Sequence, residues 1–259
     1  MSHGIPRRST CIAATLATAL ALAGPCLAQE SEGASKDLSA EVASRYVWRG
    51  QLLNPGPVLQ PSFVLTTHGF AFGAWASIDL THRRHDGQGG TYPDRHVGCE
   101  EVDLSVGWSR AVGRATWGAT LVNYSFPGID LDQTTELQGT VAIDLPVSIT
   151  VLAARDLRVV DGLYASLALA HEFELRENVK LALGASLGWA DRSYDGAVFS
   201  VEHASISDVG ASVSLSRDFP DVLTLTGSLR WSDFPAGDVG DAVADSGQLV
   251  VALGVAHSF

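Results

Sequence analysis

GQLVVALGVAHSF, residues 247–259, alternates without a break. Leu249, Val251, Leu253, Val255, His257 and Phe259 fall on one side of an extended chain, and Val250, Ala252, Gly254, Ala256 and Ser258 on the other. A period of two belongs to a β-strand, whose successive side chains point to opposite faces. One face is bulky and apolar; the other is mostly small.

The pattern recurs upstream. In NVKLALGASLGWAD, Val179, Leu181, Leu183, Leu187 and Trp189 oppose Lys180, Ala182, Gly184, Ser186 and Gly188. In EEVDLSVGWS, Val102, Leu104, Val106 and Trp108 oppose Asp103, Ser105, Gly107 and Ser109, and in TELQGTVAID, Leu137, Val141 and Ile143 oppose Glu136, Gln138, Thr140 and Asp144. Charge falls on the small-residue face. About twelve such segments are legible, near 37–50, 57–67, 69–80, 99–111, 113–123, 133–145, 147–156, 162–174, 177–190, 204–218, 221–232 and 246–259. A soluble β-sandwich would turn its apolar face inward and clothe the other in lysine and glutamate. Here that other face is Gly, Ala, Ser and Thr, and the whole chain contains two lysines, Lys36 and Lys180.

Connections alternate between tight and long. His68-Gly69, Val112-Gly113, Leu145-Pro146, Arg176-Glu177 and Phe219-Pro220-Asp221 read as tight turns; longer polar stretches lie at 51–56, 81–98, 124–132, 157–161, 191–203 and 233–245. This predicts an all-β, transmembrane, antiparallel up-and-down β-barrel of about 12 strands, with short periplasmic turns and longer extracellular loops. Trp48, Trp189 and Trp231 then lie near the outer rim, and Trp108, Trp117, Phe173 and Phe259 near the inner one, as aromatic side chains favour the two membrane interfaces. Trp75, in mid-strand, does not fit a girdle.

Residues 1–28 carry Arg7 and Arg8, the apolar run IAATLATALALAG and a small-residue site ending at Ala28. That is the pattern of a cleaved secretory signal. A short N-terminal periplasmic segment, 29–36, and a barrel, 37–259, follow. Cys11 and Cys26 leave with the signal, so Cys99 has no intrachain partner. The formal charge falls from -12 to -14, because the signal contains two arginines and no acid. Nucleic acid is excluded as a partner on this balance.

The stretch YVWRG, then Pro57 and Gln60 in NPGPVLQPS, then GFAFGAWAS and EEVDLSVGW, resembles the opening strands of the TorF-like family of outer-membrane porins. The matching positions are Tyr46, Arg49, Gly50, Pro57, Gln60, Gly69, Gly73, Trp75, Ser77, Glu101, Asp103 and Gly107, within residues 44–108. The resemblance implies an outer-membrane barrel with a porin-like role and names no solute. The final strand resembles the signal read by the barrel assembly machinery, ending on the aromatic Phe259, although His257 stands where such signals often carry an aromatic residue.

Parity directs Arg45 and Arg49 into the barrel, along with Asp79, Asp103, Glu136, Asp144, Glu172 and Lys180, and leaves Tyr46 and Trp48 facing lipid. An Arg or Lys facing lipid at mid-membrane would cost roughly 2–4 kcal/mol, whereas a wet interior accepts it. Two functions fit a charged lumen: a channel for passive diffusion of small polar solutes, or a closed barrel with a structural or adhesive role. A third rests on His203 and Ser205, which share a strand face in EHAS and resemble the His-x-Ser of outer-membrane lipid hydrolases. Such chemistry needs a third group to orient the histidine. No asparagine follows Asn178, and Asp208 and Asp233 are the available acids. His82, His85, His96 and Cys99 match no standard zinc spacing. The expectation is therefore an exported outer-membrane protein of a Gram-negative bacterium with no enzymatic activity, no cofactor and no resident metal. Its expected partners are outer-membrane lipid and lipopolysaccharide, the assembly machinery and small solutes.

Overall fold

The structure is a computed structural model, described for residues 34–81, 83–85, 91–93, 98–127, 131–235, 237–243 and 247–259. Its strands are β1 (Ser35–Ala43), β2 (Tyr46–Trp48), β3 (Gln51–Asn54), β4 (Val58–Thr67), β5 (Phe70–Asp79), β6 (Arg83–His85), β7 (Thr91–Pro93), β8 (Cys99–Val112) and β9 (Ala115–Ser125). After these come β10 (Thr134–Ile143), β11 (Ser148–Asp156), β12 (Leu163–Arg176), β13 (Val179–Ala190), β14 (Ser205–Phe219), β15 (Leu223–Asp233) and β16 (Gln248–Ser258). Two short helices, α1 (Arg192–Phe199) and α2 (Asp238–Ala242), lie in the connections β13–β14 and β15–β16. No helix among the described residues is long and apolar enough to cross a membrane. The expected signal, 1–28, lies outside the described residues.

Twelve strands close on themselves in the order β1-β16-β15-β14-β13-β12-β11-β10-β9-β8-β5-β4. Every neighbouring pair is antiparallel, which is the predicted up-and-down barrel. Closure leaves no unpaired edge, as a barrel in lipid requires. At the seam, Lys36 and Phe259 exchange backbone hydrogen bonds of 3.0 and 2.9 Å.

The tight turns fall where the sequence put them. His68 and Gly69 have φ of +49° and +78°, and Gly113, Asn178 and Asp221 are also left-handed. Short hairpins need such residues, because turns with positive φ match the twist of the flanking strands. Outside the barrel, Leu104, Trp108, Trp117, Leu137, Leu167, Trp189, Leu215, Trp231, Leu249 and Leu253 are all exposed. A contiguous apolar surface of this extent is a lipid-facing belt rather than the surface of a soluble monomer.

One expected strand is wrong. Residues 37–50 do not form a continuous strand: β1 ends at Ala43, and Tyr46–Trp48 pairs with Gln51–Asn54 in a separate two-stranded sheet. Tyr46 is buried, and Trp48 packs on Tyr124 with ring centroids 6.3 Å apart, so neither faces lipid. Ser44 keeps the last contact with β16, its N–H donating to Val251 O at 2.8 Å and its hydroxyl accepting from Val251 N at 3.0 Å, and beyond it Arg45 bonds Gln248 at 2.8 Å as the chain leaves the wall. Trp75 is explained by the same departure. Its ring faces inward and lies 5.6 Å from that of Tyr46.

Candidate functional site

The hairpin β2–β3 leaves the wall at β1 and returns at β4, and its tip is Arg49-Gly50. Gly50 has φ +79°, and a Cβ there would come within 2.9 Å of the Phe234 ring and 3.1 Å of Asp208 Cβ, so the tip fits only a glycine comfortably. The tip touches residues of β10, β12, β14 and α1, which stand far around the ring from β1 and β4. The hairpin therefore crosses the lumen.

Arg49 anchors it there. Its Nη2 donates to both carboxylate oxygens of Glu136 at 2.9 Å, and Nη1 donates to the Tyr194 hydroxyl at 3.4 Å. The guanidinium carbon lies 4.1 Å from the centroid of Tyr164, 4.4 Å from Trp48 and 5.6 Å from Tyr194. A weakly hydrated, planar cation suits such an aromatic setting. Glu136 also accepts from Tyr124 at 3.0 Å and from Gln138 at 2.9 Å. Both partners are almost fully buried. A buried charge pair is tolerable where its remaining hydrogen-bonding capacity is met, as it is here.

The base of the hairpin is held by Arg45, whose Nη1 donates to Gln248 at 2.8 Å, and by Asn54, whose amide donates to Glu100 at 2.7 Å. Asn54 also accepts from Gly56 N at 2.7 Å. Opposite, a bulge in β14 between its pairings with Leu187 and Trp189 buries the consecutive residues Ser207 and Asp208. Bulges of this kind re-aim side chains. Asp208 accepts from the Tyr164 hydroxyl at 3.0 Å, which fixes the ring that stacks on Arg49.

The other expected lumen residues are placed as follows. Asp79 is buried and accepts from Thr81 N and Oγ1 at 2.7 Å. Asp103 is buried on the inner face of β8. Glu172 and Lys180 form an ion pair of 2.9 Å between adjacent strands. Asp144 does not line the lumen: β10 ends at Ile143, and Asp144 is exposed in the turn before Pro146. Of the positions that carried the family resemblance, Tyr46, Arg49, Gly50, Gln60, Trp75, Ser77, Glu101 and Asp103 belong to the hairpin or to strands β4, β5 and β8, whereas Pro57 ends its return and bonds Leu80 N at 3.0 Å.

His203 and Ser205 do not form a dyad. His203 Nε2 lies 3.1 Å from Asp238, whereas Ser205 Oγ donates to Asp195 at 2.6 Å. A serine that gives its proton to a carboxylate is not aligned on a histidine base. Of the proposed metal-binding set, His82 and His96 lie outside the described residues, as does the side chain of His85, and the Cys99 thiol donates to the Glu101 carbonyl. Tyr124, Tyr164 and Tyr194 are not singled out by sequence, and Gln138 enters only as one of the small-residue-face positions of its strand. Their signal was available for Tyr124, Tyr164 and Gln138, which fall on the small-residue face of their strands.

No protein-family model matches the chain, and no curated relative matches it. Solved structures do. The COG4313 outer membrane channel from Pseudomonas putida F1 superposes with a TM-score of 0.51 at 11% identity, over 88% of this chain and 96% of that one. The KdgM porin in complex with disordered oligogalacturonate gives 0.49 at 9% identity, over 87% and 99%. At such identities the likeness to the channel speaks for the barrel fold.

Proposed function

We propose that this chain is a porin-like barrel of a Gram-negative outer membrane, exported through a cleaved signal, through which small polar solutes diffuse passively. One observation carries the reading: the closed barrel is apolar outside and charged inside, the inverse of a soluble barrel. Tight turns then face the periplasm and long connections the exterior. Membership of the TorF-like family is part of the same reading, supported by the gathering of its motif positions around one inward hairpin. The protein's environment is outer-membrane lipid and lipopolysaccharide, which it enters through the assembly machinery reading Phe259.

The test is conductance of the purified protein in a planar bilayer. Discrete openings are expected, with the hairpin narrowing the path. Silence at every voltage overturns passive diffusion and favours the second reading, a closed structural barrel, for which the buried Arg49–Glu136 pair across the lumen is the specific support.

A further inference from the structure

Three acids of the barrel face a base: Glu136 meets Arg49, Glu41 meets Arg230 at 2.6 Å and Glu172 meets Lys180. Glu101 and Asp103 do not. They stand two residues apart on β8, so both point inward, and both are buried. Among the described residues no ion pair joins either to a base.

Asp103 is the sharper case. It is 0% exposed; no donor reaches either carboxylate oxygen among the described residues, and its carboxyl lies against that of Glu101, the other acid of the pair. Its charged neighbours are other acids, Glu101 and Glu136, and the Arg49 guanidinium is already committed to Glu136. A free carboxylate is costly in such surroundings unless a positive charge, a donor or a proton accompanies it. The same wall offers further oxygens. The Ser77 hydroxyl, opposite Glu101 in the β5–β8 register, is buried and without a hydrogen-bond partner among the described residues, and the Tyr46 hydroxyl, reaching the wall from the inner hairpin, lies against Glu101.

Carboxylates with hydroxyls form a hard, all-oxygen donor set, which suits alkali and alkaline-earth cations. Among the described residues no group of three or more His, Cys, Asp or Glu gathers for a tightly held metal. Two carboxylates hold such an ion loosely, as conduction requires binding weak enough to release. We propose that Glu101 and Asp103 form a cation station in the lumen wall beside the hairpin, and that the barrel admits small cations in preference to anions. The proposal rests on the channel reading and adds the class of solute to it.

The experiment is the reversal potential of the full-length mature protein in a planar bilayer under a potassium chloride gradient. Wild type is expected to prefer potassium over chloride. Asp103→Asn, and more so Asp103→Asn with Glu101→Gln, should lower the permeability ratio by at least about fivefold, since one unit charge about 4 Å from an ion is worth about 1 kcal/mol even in bulk water and more in a buried wall. A chloride preference or no preference in wild type overturns the station, whether or not the variants fold. An unchanged ratio in variants that keep the heat-resistant gel mobility of a folded barrel overturns it equally. Silence in wild type at every voltage overturns the channel reading, and the station with it. Conductance without cation preference overturns the station alone.

Discussion

Two hairpins of this barrel have nearly the same turn. β4 and β5 are joined by His68-Gly69 with φ of +49° and +78°; β2 and β3 are joined by Arg49-Gly50 with φ of +47° and +79°. Both flank the turn with alternating residues. The first pair stays in the wall and exposes Phe63, Phe70 and Phe72 to the lipid side, whereas the second folds across the lumen and buries Tyr46, Arg49 and Asn54. Backbone geometry thus does not decide which hairpin becomes wall. The difference lies in what the side chains demand: the wall hairpin has apolar rings to place in lipid, and the inner hairpin carries a cation that finds Glu136 and three aromatic rings.

The most damaging way to break this contrast is to remove the acid. Glu136→Ala leaves the Arg49 guanidinium buried without a carboxylate, and breaking one side of a buried pair costs about 3–5 kcal/mol. The twelve-stranded wall does not depend on this pair, so the expected outcome is release of the hairpin in a barrel that still folds. Protease cleavage within 44–57 on intact vesicles should appear, and single-channel conductance should rise; a variant as protected as wild type would show that the tip is not held by the ion pair. Gly50→Ala tests the turn itself. An alanine at φ +79° that also presses on Phe234 and Asp208 costs about 2 kcal/mol, so partial release is expected by the same cleavage assay. Gly69→Ala, at the matching φ of +78° in the wall hairpin, should leave 44–57 protected.

Much of the wall was legible in the sequence, because one period of two repeats through it and left-handed residues mark its turns. The hairpin was not, for a physical reason. Alternation states that a strand has two unlike faces, but Tyr-Val-Trp flanked by arginines satisfies that statement equally well in lipid or in a lumen. Trp75 held the missing clue: a bulky ring on the small-residue face needs something to pack against, and Tyr46 is that partner. Tyr124 and Tyr164 carry the same message, since both fall on the inner face where Gly, Ser and Thr prevail. Asp208 was harder to read, because the bulge in β14 shifts parity by one residue between Ile206 and Val209.

The inner hairpin also leans on α1, whose seating should depend on pH. Asp191 caps the helix by accepting from Tyr194 N at 2.9 Å, and Tyr194 carries the hydroxyl that meets Arg49. Asp195, one residue on, is buried and holds Ser205, and burial raises its carboxyl above the ordinary range. The folded state then keeps this proton more tightly than the unfolded chain does, so its contribution is greatest below the ordinary carboxylate range and is lost as pH rises through the raised value. Amide exchange in 191–204 should accelerate over that window in wild type beyond its intrinsic pH dependence, and Asp195→Asn should remove the excess. A wild-type excess with the opposite slope would show that Asp195 is stabilised as its anion.

The smallest effect belongs to a charge pair that resembles Arg49–Glu136 in chemistry and differs only in surroundings. Arg155 Nη2 donates to Asp161 at 2.7 Å, a shorter contact than either bond from Arg49 to Glu136, yet the two side chains are 51% and 78% exposed. Water already solvates both, so the net gain from pairing them is about 0–1 kcal/mol and falls with added salt. Arg155→Ala should therefore leave the unfolding temperature within about 1 °C and the hairpin protected from cleavage, under conditions where Glu136→Ala exposes it. If both substitutions released the hairpin to the same degree, burial would not be what separates the two pairs, and the lumen side of Arg49 would have to be as wet as the barrel's outer loops.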